Sequence, residues 1–187
     1  MSLSSSVPAR TLTTIAGAEV RVPDPDRLVH LQFRRFAGCP VCSLHLRSIV
    51  LRRDEIAAAG IHEVVVFHSS AAELRAQTAA VPLDLIADPA RALYREFGVE
   101  SGPRALLDPR GWPAIARGVV RELRAIRRRE KPPPPSRPEG GRLGLPADFL
   151  IAPDGMVLAA KRGVHVDDQW SVDELLAHAA RTAGVPR

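Results

Sequence analysis

The sequence predicts an α/β fold whose sheet contains a parallel segment. Between residues 28 and 97, apolar runs of strand length alternate with helical patterns, which is the order expected when helices join parallel strands. Three consecutive valines at residues 64–66 are typical of a central parallel strand. With 187 residues, of which 45% are hydrophobic, the chain is long enough for one domain with a sizeable core.

The first half of the chain is predicted to contain a hairpin and then three strand–helix pairs. Gly17 marks the hairpin turn, and Val20 and Val22 are expected to face inward. Hydrophobic spacing, capping residues and glycines at helix ends then define the other elements. They are a hairpin over 12–22, a strand over 28–33, a helix over 43–59 ended by Gly60, a strand over 62–67, a helix from Ser69 or Ser70 to about 79, a strand over 83–87 and a helix over 88–97.

The second half is predicted to add a helix over 112–130, a strand hairpin and a final helix that Ser171 caps. Residues 149–151 and 156–159 would form the hairpin around a Pro-Asp-Gly turn. Between the predicted helix and this hairpin, residues 131–141 contain four consecutive prolines and then two glycines, which indicates a stiff exposed loop. We therefore expect residues 1–187 to form a single domain, with 112–143 as a helical and Pro-rich insertion.

Both cysteines of the chain lie in one window, Cys39-Pro40-Val41-Cys42, between the first buried strand and its helix. Proline suits the first helical position, so Cys39 is expected to be the N-cap and the more exposed of the two sulfurs. A helix N-terminus stabilises a thiolate, and the preceding Arg34 and Arg35 would lower a thiol pKa further. This placement indicates a redox pair that closes into a disulfide.

Two other interpretations of the cysteine pair remain open. A structural zinc site requires four ligands, but the chain has no second Cys-x-x-Cys, and His45 and His68 do not stand at a suitable spacing. We therefore expect neither a metal nor another cofactor. Two inert core thiols are the other interpretation. His45 lies one helical turn after Cys42 and is interpreted either as a proton relay or as a partly exposed helix residue. His68 follows the central strand, where binding sites of α/β proteins often form.

The charge of the chain does not indicate a nucleic-acid partner. Its net charge is +5, and all 26 basic residues except Lys131 and Lys161 are arginines, without an accompanying nucleic-acid motif. We find neither a signal-peptide pattern nor an apolar run long enough to span a membrane. A cytoplasmic protein without membrane attachment is expected, where thiols stay reduced and a cysteine pair is more often catalytic than structural.

In this order, the elements resemble the thioredoxin fold, and more closely a peroxiredoxin-like protein of the alkyl hydroperoxide reductase and thiol-specific antioxidant superfamily. Three segments carry the resemblance: residues 33–42, with a strand leading into a helix-opening cysteine; residues 85–99, similar to the extra peroxiredoxin strand and helix; and residues 145–155, similar to the late proline-started strand. The resemblance implies a mixed central sheet flanked by helices. It also implies a cis Leu145–Pro146 bond packed against the cysteines.

The chain departs from the peroxiredoxin pattern Pro-x-x-x-Thr-x-x-Cys. When Cys42 is aligned with the peroxidatic cysteine, the threonine falls on Cys39 and the proline on Arg35. The activating arginine of the family has no match beside Pro146, and Arg142 and Arg104 are its candidate replacements. Peroxide reduction is therefore expected to be weak beside disulfide reduction. By the thioredoxin pattern Cys39 attacks and Cys42 resolves, and by the peroxiredoxin pattern the roles are exchanged; we favour Cys39 for disulfide exchange.

The resulting hypothesis is a thiol-disulfide oxidoreductase, or peroxiredoxin-like antioxidant enzyme, with Cys39, Cys42, Arg35 and Pro146 at its site. Its partners would be a peroxide or disulfide substrate and an external reductant, either thioredoxin-like or a low-molecular-weight thiol, and the protein is a candidate homodimer. The alternative is a non-catalytic thioredoxin-fold module that binds a partner through the basic helix and the Pro-rich loop.

Overall fold

A computed structural model describes residues 6–78 and 81–183. Its centre is a five-stranded mixed sheet in the order β5-β4-β3-β6-β7, beside a separate two-stranded sheet of β1 and β2. The strands are β1 (Arg10–Thr13), β2 (Glu19–Val22), β3 (Leu28–Arg34), β4 (Ile61–Phe67), β5 (Asp84–Ala87), β6 (Ala147–Ile151) and β7 (Val157–Arg162). The helices are α1 (Pro40–Leu51), α2 (Arg53–Ala58), α3 (Ala71–Thr78), α4 (Ala92–Glu96), α5 (Arg104–Leu107), α6 (Trp112–Arg127) and α7 (Val172–Ala183).

The strand pairing confirms the predicted α/β fold with a mixed sheet. Strand β3 is parallel to β4, and β4 is parallel to β5. On the other side, β6 is antiparallel to both β3 and β7. Val64, Val65 and Val66 are fully buried, as the valine run predicted for a central strand with helices or chain on both faces.

Apolar side chains on the two faces of the sheet belong to separate clusters. On one face, Phe33 and Phe149 pack with Tyr94 and Phe97 of the α4 region and with the valines of the β1–β2 hairpin. The other face is covered mainly by α1, α3, α6 and α7, and the cluster around α1 contains both cysteines. The inward orientation predicted for Val20 and Val22 is confirmed.

The helix predicted over 43–59 is two helices, and it begins earlier than expected. The first, α1, starts at Pro40, and the backbone at Arg52 leaves helical geometry with φ −117° and ψ 19°. There the Arg52 N–H donates to the carbonyls of Ile49 and Val50, which ends α1 before α2 starts. No glycine or proline stands at this break, so the sequence pattern contained no signal for it.

Helix α6 packs closely against the start of α1. A Cβ atom at Gly118 would lie 2.9 Å from Pro40, so only glycine permits this approach. The helix ends at Arg127, slightly before the predicted residue 130, and the Pro-rich chain that follows returns toward the cysteine end of the sheet. The first turn of α7 has the predicted cap, because Ser171 Oγ accepts from the Glu174 N–H while Glu174 Oε2 accepts from the Ser171 N–H.

Candidate active site

The two cysteines lie just beyond the carboxyl end of β3, on the first turn of α1. Cys39 is the N-cap, as predicted, and its Sγ accepts from the Cys42 N–H at 3.5 Å while Pro40 follows at the start of the helix. Both thiols are free. The chain enters this turn through Gly38, whose φ of +80° favours glycine.

The expectation that Cys39 is the more exposed sulfur is wrong. Cys39 is 1% exposed and Cys42 is 3% exposed. The loop after α6 covers this turn, and a Cβ atom at Gly38 would lie 2.8 Å from Pro134 Cβ. The cover comes from a segment about a hundred residues away along the chain, so local helix geometry could not reveal it.

The environment makes the two thiols unequal. Burial by itself would raise the pKa of Cys39, but hydrogen bonding with the Cys42 thiol, the Arg35 charge and the N–H groups of Cys42 and Val41 together lower it to about 6. Burial raises the pKa of Cys42 well above its ordinary value, and the hydrogen bond and negative charge of Cys39 raise it further. At neutral pH this arrangement holds a thiolate on Cys39 and a proton on Cys42.

Arg35 is a charged side chain that contacts the Cys39 sulfur directly. Its Nη1 donates to Cys39 Sγ at 3.5 Å, and its Nη2 donates to the Arg142 carbonyl. The guanidinium also lies 5.5 Å from the centre of the Phe36 ring, within the range of a cation–π contact. Of the two arginines before the motif, Arg35 therefore supplies the charge that lowers the thiol pKa.

A family model described as AhpC/TSA antioxidant enzyme matches residues 48–165. This chain belongs to that family. The match begins after Cys42, so the roles of the two cysteines must be argued from their own geometry. A search of curated proteins found no match.

Solved structures similar to this member of the AhpC/TSA family share its fold at low sequence identity. Peroxidoxin BcpB from Mycobacterium tuberculosis is 17% identical over 95% of this chain and 96% of its own, with a TM-score of 0.65. Peroxiredoxin Q from Xanthomonas campestris is 18% identical over 93% and 91%, with a TM-score of 0.63. A protein described as the thiol:disulfide interchange protein DsbE, from Chlorobium tepidum, is 18% identical over 96% of both chains, with a TM-score of 0.58. The thioredoxin-like, peroxiredoxin-type fold expected from the sequence is therefore confirmed.

Arg34 points away from the thiols into a buried polar network. It is fully buried, and its guanidinium donates to Asp148 at 2.6 Å, to Gln32 at 2.5 Å and to His45 Nε2 at 2.8 Å. Burial, followed by the Arg34 charge, lowers the pKa of His45 well below its ordinary value. His45 is therefore a neutral acceptor for Arg34, and the structure shows no hydrogen bond from it to Cys42.

The same network continues along β3 to His30. Its Nδ1 lies 2.9 Å from Glu63 and its Nε2 lies 3.2 Å from Asp148. Burial alone would lower the pKa of His30, but the Glu63 charge and the Asp148 hydrogen bond outweigh burial and raise it to about 9. Sequence reasoning missed this network, although polar residues at 30, 32 and 34 alternate within an otherwise apolar strand and were a signal for it.

His68, which follows β4, lies beside the thiol site but outside direct contact with the sulfurs. Its backbone N–H donates to the Arg35 carbonyl at 3.3 Å, and its ring packs edge-on against Tyr94. The side chain is fully buried, and its ring nitrogens face the backbone carbonyls of His68 itself and of Glu139. Burial, and then the charges of Arg91 and Arg35, lower the pKa of His68 to about 4, so the ring is neutral at physiological pH.

The implied cis bond at Leu145–Pro146 is not present; among the described residues the cis X-Pro bond is Val22–Pro23. Pro146 is buried at the start of β6, but it is Leu145 that shares the apolar cluster of the two cysteines. Arg142 lies 5.7 Å from the Phe36 ring and donates to the carbonyls of Pro135 and Ser136. The side chain of Arg104, the other candidate arginine, lies outside the described part of the structure.

Within residues 6–78 and 81–183, no cluster of three or more histidine, cysteine or acidic side chains could hold a metal ion. None of the helices in the same ranges has both the length and the apolar composition needed to cross a bilayer. The thiol site itself brings together a thiolate, a neighbouring protonated thiol and an arginine.

Proposed function

We propose that this AhpC/TSA family member is a thiol oxidoreductase in which Cys39 is the nucleophile and Cys42 is the resolving thiol. The observation that carries the proposal is the opposite direction of the two thiol pKa shifts, with Cys39 lowered to about 6 and Cys42 raised. A thiolate attacks disulfides and peroxides, whereas a protonated thiol is a poor nucleophile until it loses its proton. The Arg35 contact and the helix N-terminus supply the stabilisation of the thiolate.

With a disulfide R–S–S–R′, the Cys39 thiolate attacks one sulfur and forms the mixed disulfide Cys39–S–S–R. The bond between the substrate sulfurs breaks, and R′–S⁻ leaves and takes up a proton. Once Cys39 no longer carries a negative charge, one of the causes that raise the pKa of Cys42 is removed. Cys42 then loses its proton and attacks Cys39 Sγ, which releases R–SH and closes the Cys39–Cys42 disulfide, so two electrons have passed to the substrate.

With a peroxide ROOH, the Cys39 thiolate attacks the terminal oxygen and becomes a sulfenic acid, while RO⁻ leaves and takes up a proton. The Cys42 thiol attacks the sulfenic sulfur, water leaves, and the same disulfide forms. The chain has no threonine hydroxyl at the position of Cys39 to hold the peroxide. Preorganised donors of this kind contribute about 10²–10³-fold each in a well-studied protease, so we propose that peroxide is the slower substrate.

The cycle requires an external dithiol, or two molecules of a low-molecular-weight thiol, to reduce the Cys39–Cys42 disulfide. We place this cycle in the cytoplasm, where such reductants keep thiols reduced and a paired motif is more often catalytic than structural. A homodimer remains a prediction that a sedimentation measurement would check.

Trapping the intermediate tests the assignment of the nucleophile. Cys42→Ser should accumulate a stable mixed disulfide on Cys39 when it is treated with bis(2-hydroxyethyl) disulfide, because the resolving thiol is missing. Cys39→Ser is the matched control and should accumulate little adduct at pH 7, since the remaining thiol has a raised pKa. Intact-mass spectrometry over time gives both results. Faster adduct formation on Cys39→Ser would reverse the assignment, as the peroxiredoxin pattern requires.

A surface groove supports the alternative function of a partner-binding module. It encloses about 610 Å³ between α1 and α6. Its lining combines Leu44 and Val120 with the basic side chains Arg117, Arg121, Arg124 and Arg128. Thiol alkylation separates the two functions: slow, uniform alkylation of both cysteines at every pH would favour the binding module over the enzyme.

A further inference from the structure

Residues 131–144, which we term the strap, lie across the thiol site and are held there by polar contacts with the body of the protein. At the first end, Lys131 forms an ion pair with Glu122 at 2.6 Å. Near its middle, Gln77 Nε2 donates to the Pro133 carbonyl at 3.0 Å and the Glu139 N–H donates to Glu73 at 3.2 Å. At the other end, Arg91 donates to the Gly140 carbonyl and Arg35 donates to the Arg142 carbonyl.

The interface under the strap is poorly satisfied. In the part of the chain that the structure describes, three buried side-chain atoms without a polar partner belong to residues that touch the strap. They are Arg35 Nε, Glu73 Oε2 and Gln77 Oε1. Buried polar groups are normally paired, so each unpaired group under the strap reduces the free energy that closure contributes.

The strap also fits against His68 with no space to spare. A Cβ atom at Gly140 would lie 2.6 Å from His68 Nδ1, and one at Gly144 would lie 2.7 Å from His68 Nε2. The neighbouring Gly141 has the same φ of +73° as Gly140, yet nothing lies within 4 Å of its Cβ position. The two glycines therefore differ in whether a methyl group would push the strap away.

Two guanidinium groups under the strap, those of Arg35 and Arg91, donate to backbone carbonyls of the strap. Arg35 donates to Cys39 Sγ and to a strap carbonyl, and Arg91 donates to Ser101 and to a strap carbonyl. Neither forms an ion pair with an acidic group in the described residues. His68 lies between them, and both charges lower the pKa of His68. In the closed state, strap carbonyls thus occupy donors that are better matched by carboxylate oxygens.

We propose that the strap is a removable cover over the substrate site, and that the uncovered surface between Arg91 and Arg35 binds the carboxylate group of a disulfide or peroxide substrate. This inference rests on the proposed function, because the bound carboxylate belongs to a substrate only if the protein is an enzyme. Because both thiols are almost fully buried in the closed state, any substrate must displace the strap before it reaches Cys39. The carbonyls of Gly140 and Arg142 occupy the positions that substrate oxygens take when the strap is displaced.

The test compares Gly140→Ala with Gly141→Ala in the full-length chain. Both substitutions impose the same left-handed backbone strain, but only Gly140→Ala drives a methyl group into His68. Cys39 alkylation by iodoacetamide at pH 7 is the measurement. If the wild-type strap is open in about 0.1–10% of molecules, as is common for minor states, Gly140→Ala should alkylate about 10- to 1,000-fold faster. Gly141→Ala should show only the few-fold increase that its backbone strain causes.

A variant in which a flexible glycine–serine linker replaces residues 132–139 provides a second opening. Circular dichroism verifies that each variant is folded. Equal alkylation rates in wild type, Gly140→Ala and the linker variant would overturn the cover, because removing it would then expose nothing.

Charge recognition is tested by the ratio of alkylation rates with iodoacetate and iodoacetamide, a size-matched anionic and neutral pair, in the Gly140→Ala background. Adding Arg91→Gln should lower this ratio about threefold, the order of effect that one unit charge several ångströms away has in water. Adding Arg95→Gln is the matched control, since Arg95 lies on the same helix and donates to the Ala90 carbonyl. It should leave the ratio unchanged.

An equal change in both variants, or in neither, would overturn the carboxylate site while leaving the cover intact. Alkylation needs no turnover, so these outcomes remain readable if the protein reduces neither disulfides nor peroxides. Failure of the proposed function would appear instead as a missing mixed disulfide in Cys42→Ser. For a competent enzyme, 3,3′-dithiodipropionate should have a lower KM than bis(2-hydroxyethyl) disulfide, and Arg91→Gln should remove that difference.

Discussion

Replacing Arg35 by methionine should raise the pKa of Cys39 by an amount that the structure allows us to bound. The guanidinium Nη1 lies 3.5 Å from the sulfur, and the two groups are buried together. Methionine keeps much of the volume and apolar contact of the side chain while it removes the charge. The variant therefore isolates the contribution of Arg35 from that of the helix N-terminus.

The magnitude follows from Coulomb's law and from measured pairs. Two unit charges at 3.5 Å interact by about 1 kcal/mol in water and by about 5 kcal/mol at an effective dielectric constant of about 20. Carboxylates beside an arginine show pKa shifts of about 1–3 units, which lie between these limits. The pKa of Cys39, now about 6, should thus rise to about 7–9 in Arg35→Met. At pH 7 the thiolate fraction would fall from about nine tenths to between about a half and a hundredth.

The assay is the rate of iodoacetamide alkylation as a function of pH, measured in a Cys42→Ser background so that one thiol is observed. The shift is taken relative to Cys42→Ser alone, because the Cys42 thiol itself lowers the pKa of Cys39. The midpoint of the curve gives the pKa, and the plateau rate reports how far the strap is open. This matters because Arg35 also donates to the Arg142 carbonyl. Arg35→Lys is the control, since it keeps the charge without the planar donor group, and its midpoint should remain closer to that of the wild-type side chain.

An unchanged midpoint in Arg35→Met would refute this reasoning. It would mean that the N–H groups of α1 and the helix dipole stabilise the thiolate without help from the arginine. A midpoint that shifts equally in Arg35→Lys would assign the effect to hydrogen-bond geometry rather than to charge.

Three further outcomes are expected for folding stability. Asp148→Asn should lower the free energy of unfolding, measured by urea denaturation, by about 3–5 kcal/mol, because it leaves the buried charge of Arg34 unneutralised; an unchanged value would contradict this. In a variant with serine at both cysteine positions, the free energy of unfolding should fall by about 3 kcal/mol as pH rises from 6.5 through about 9. The reason is that the unfolded chain releases the His30 proton near pH 6.5, whereas the folded protein holds it until about pH 9. A flat pH profile would refute the assignment. Ser171→Ala should cost about 1 kcal/mol by thermal or urea unfolding through loss of the α7 cap, and no loss would show that Glu174 alone suffices.

Features set by nearby residues were predictable from the sequence. The valine run at 64–66 predicted β4, the Pro-Asp-Gly turn predicted the β6–β7 hairpin, and Ser171 predicted the start of α7. The N-cap position of Cys39 also followed from the next residue, Pro40. Each depends on contacts within a few residues, where propensity and capping rules apply directly.

Features set by distant residues were not predictable. The burial of Cys39 depends on Pro134, and the buried location of Arg34 depends on Asp148. Neither pairing leaves a local signal in the sequence. In the sequence, Arg34 and Arg35 are equivalent neighbours of the cysteine motif. In the structure, the pleat of β3 directs Arg34 to the Asp148 network. Arg35 lies just past the end of the strand and contacts the Cys39 sulfur.

The position of β3 in the sheet has a consequence for synthesis of the protein. One neighbour of β3 in the sheet, β4, follows it soon in the sequence. The other neighbour, β6, lies far along the chain and pairs Phe149 with Leu31. The ribosome must therefore add about a hundred residues after the cysteines before β6 can pair, which takes about 5–20 s. Throughout that interval the nascent chain carries two thiols that neither β6 nor residues 131–144 can shield, so prematurely terminated chains will be the molecules most open to oxidation and crosslinking.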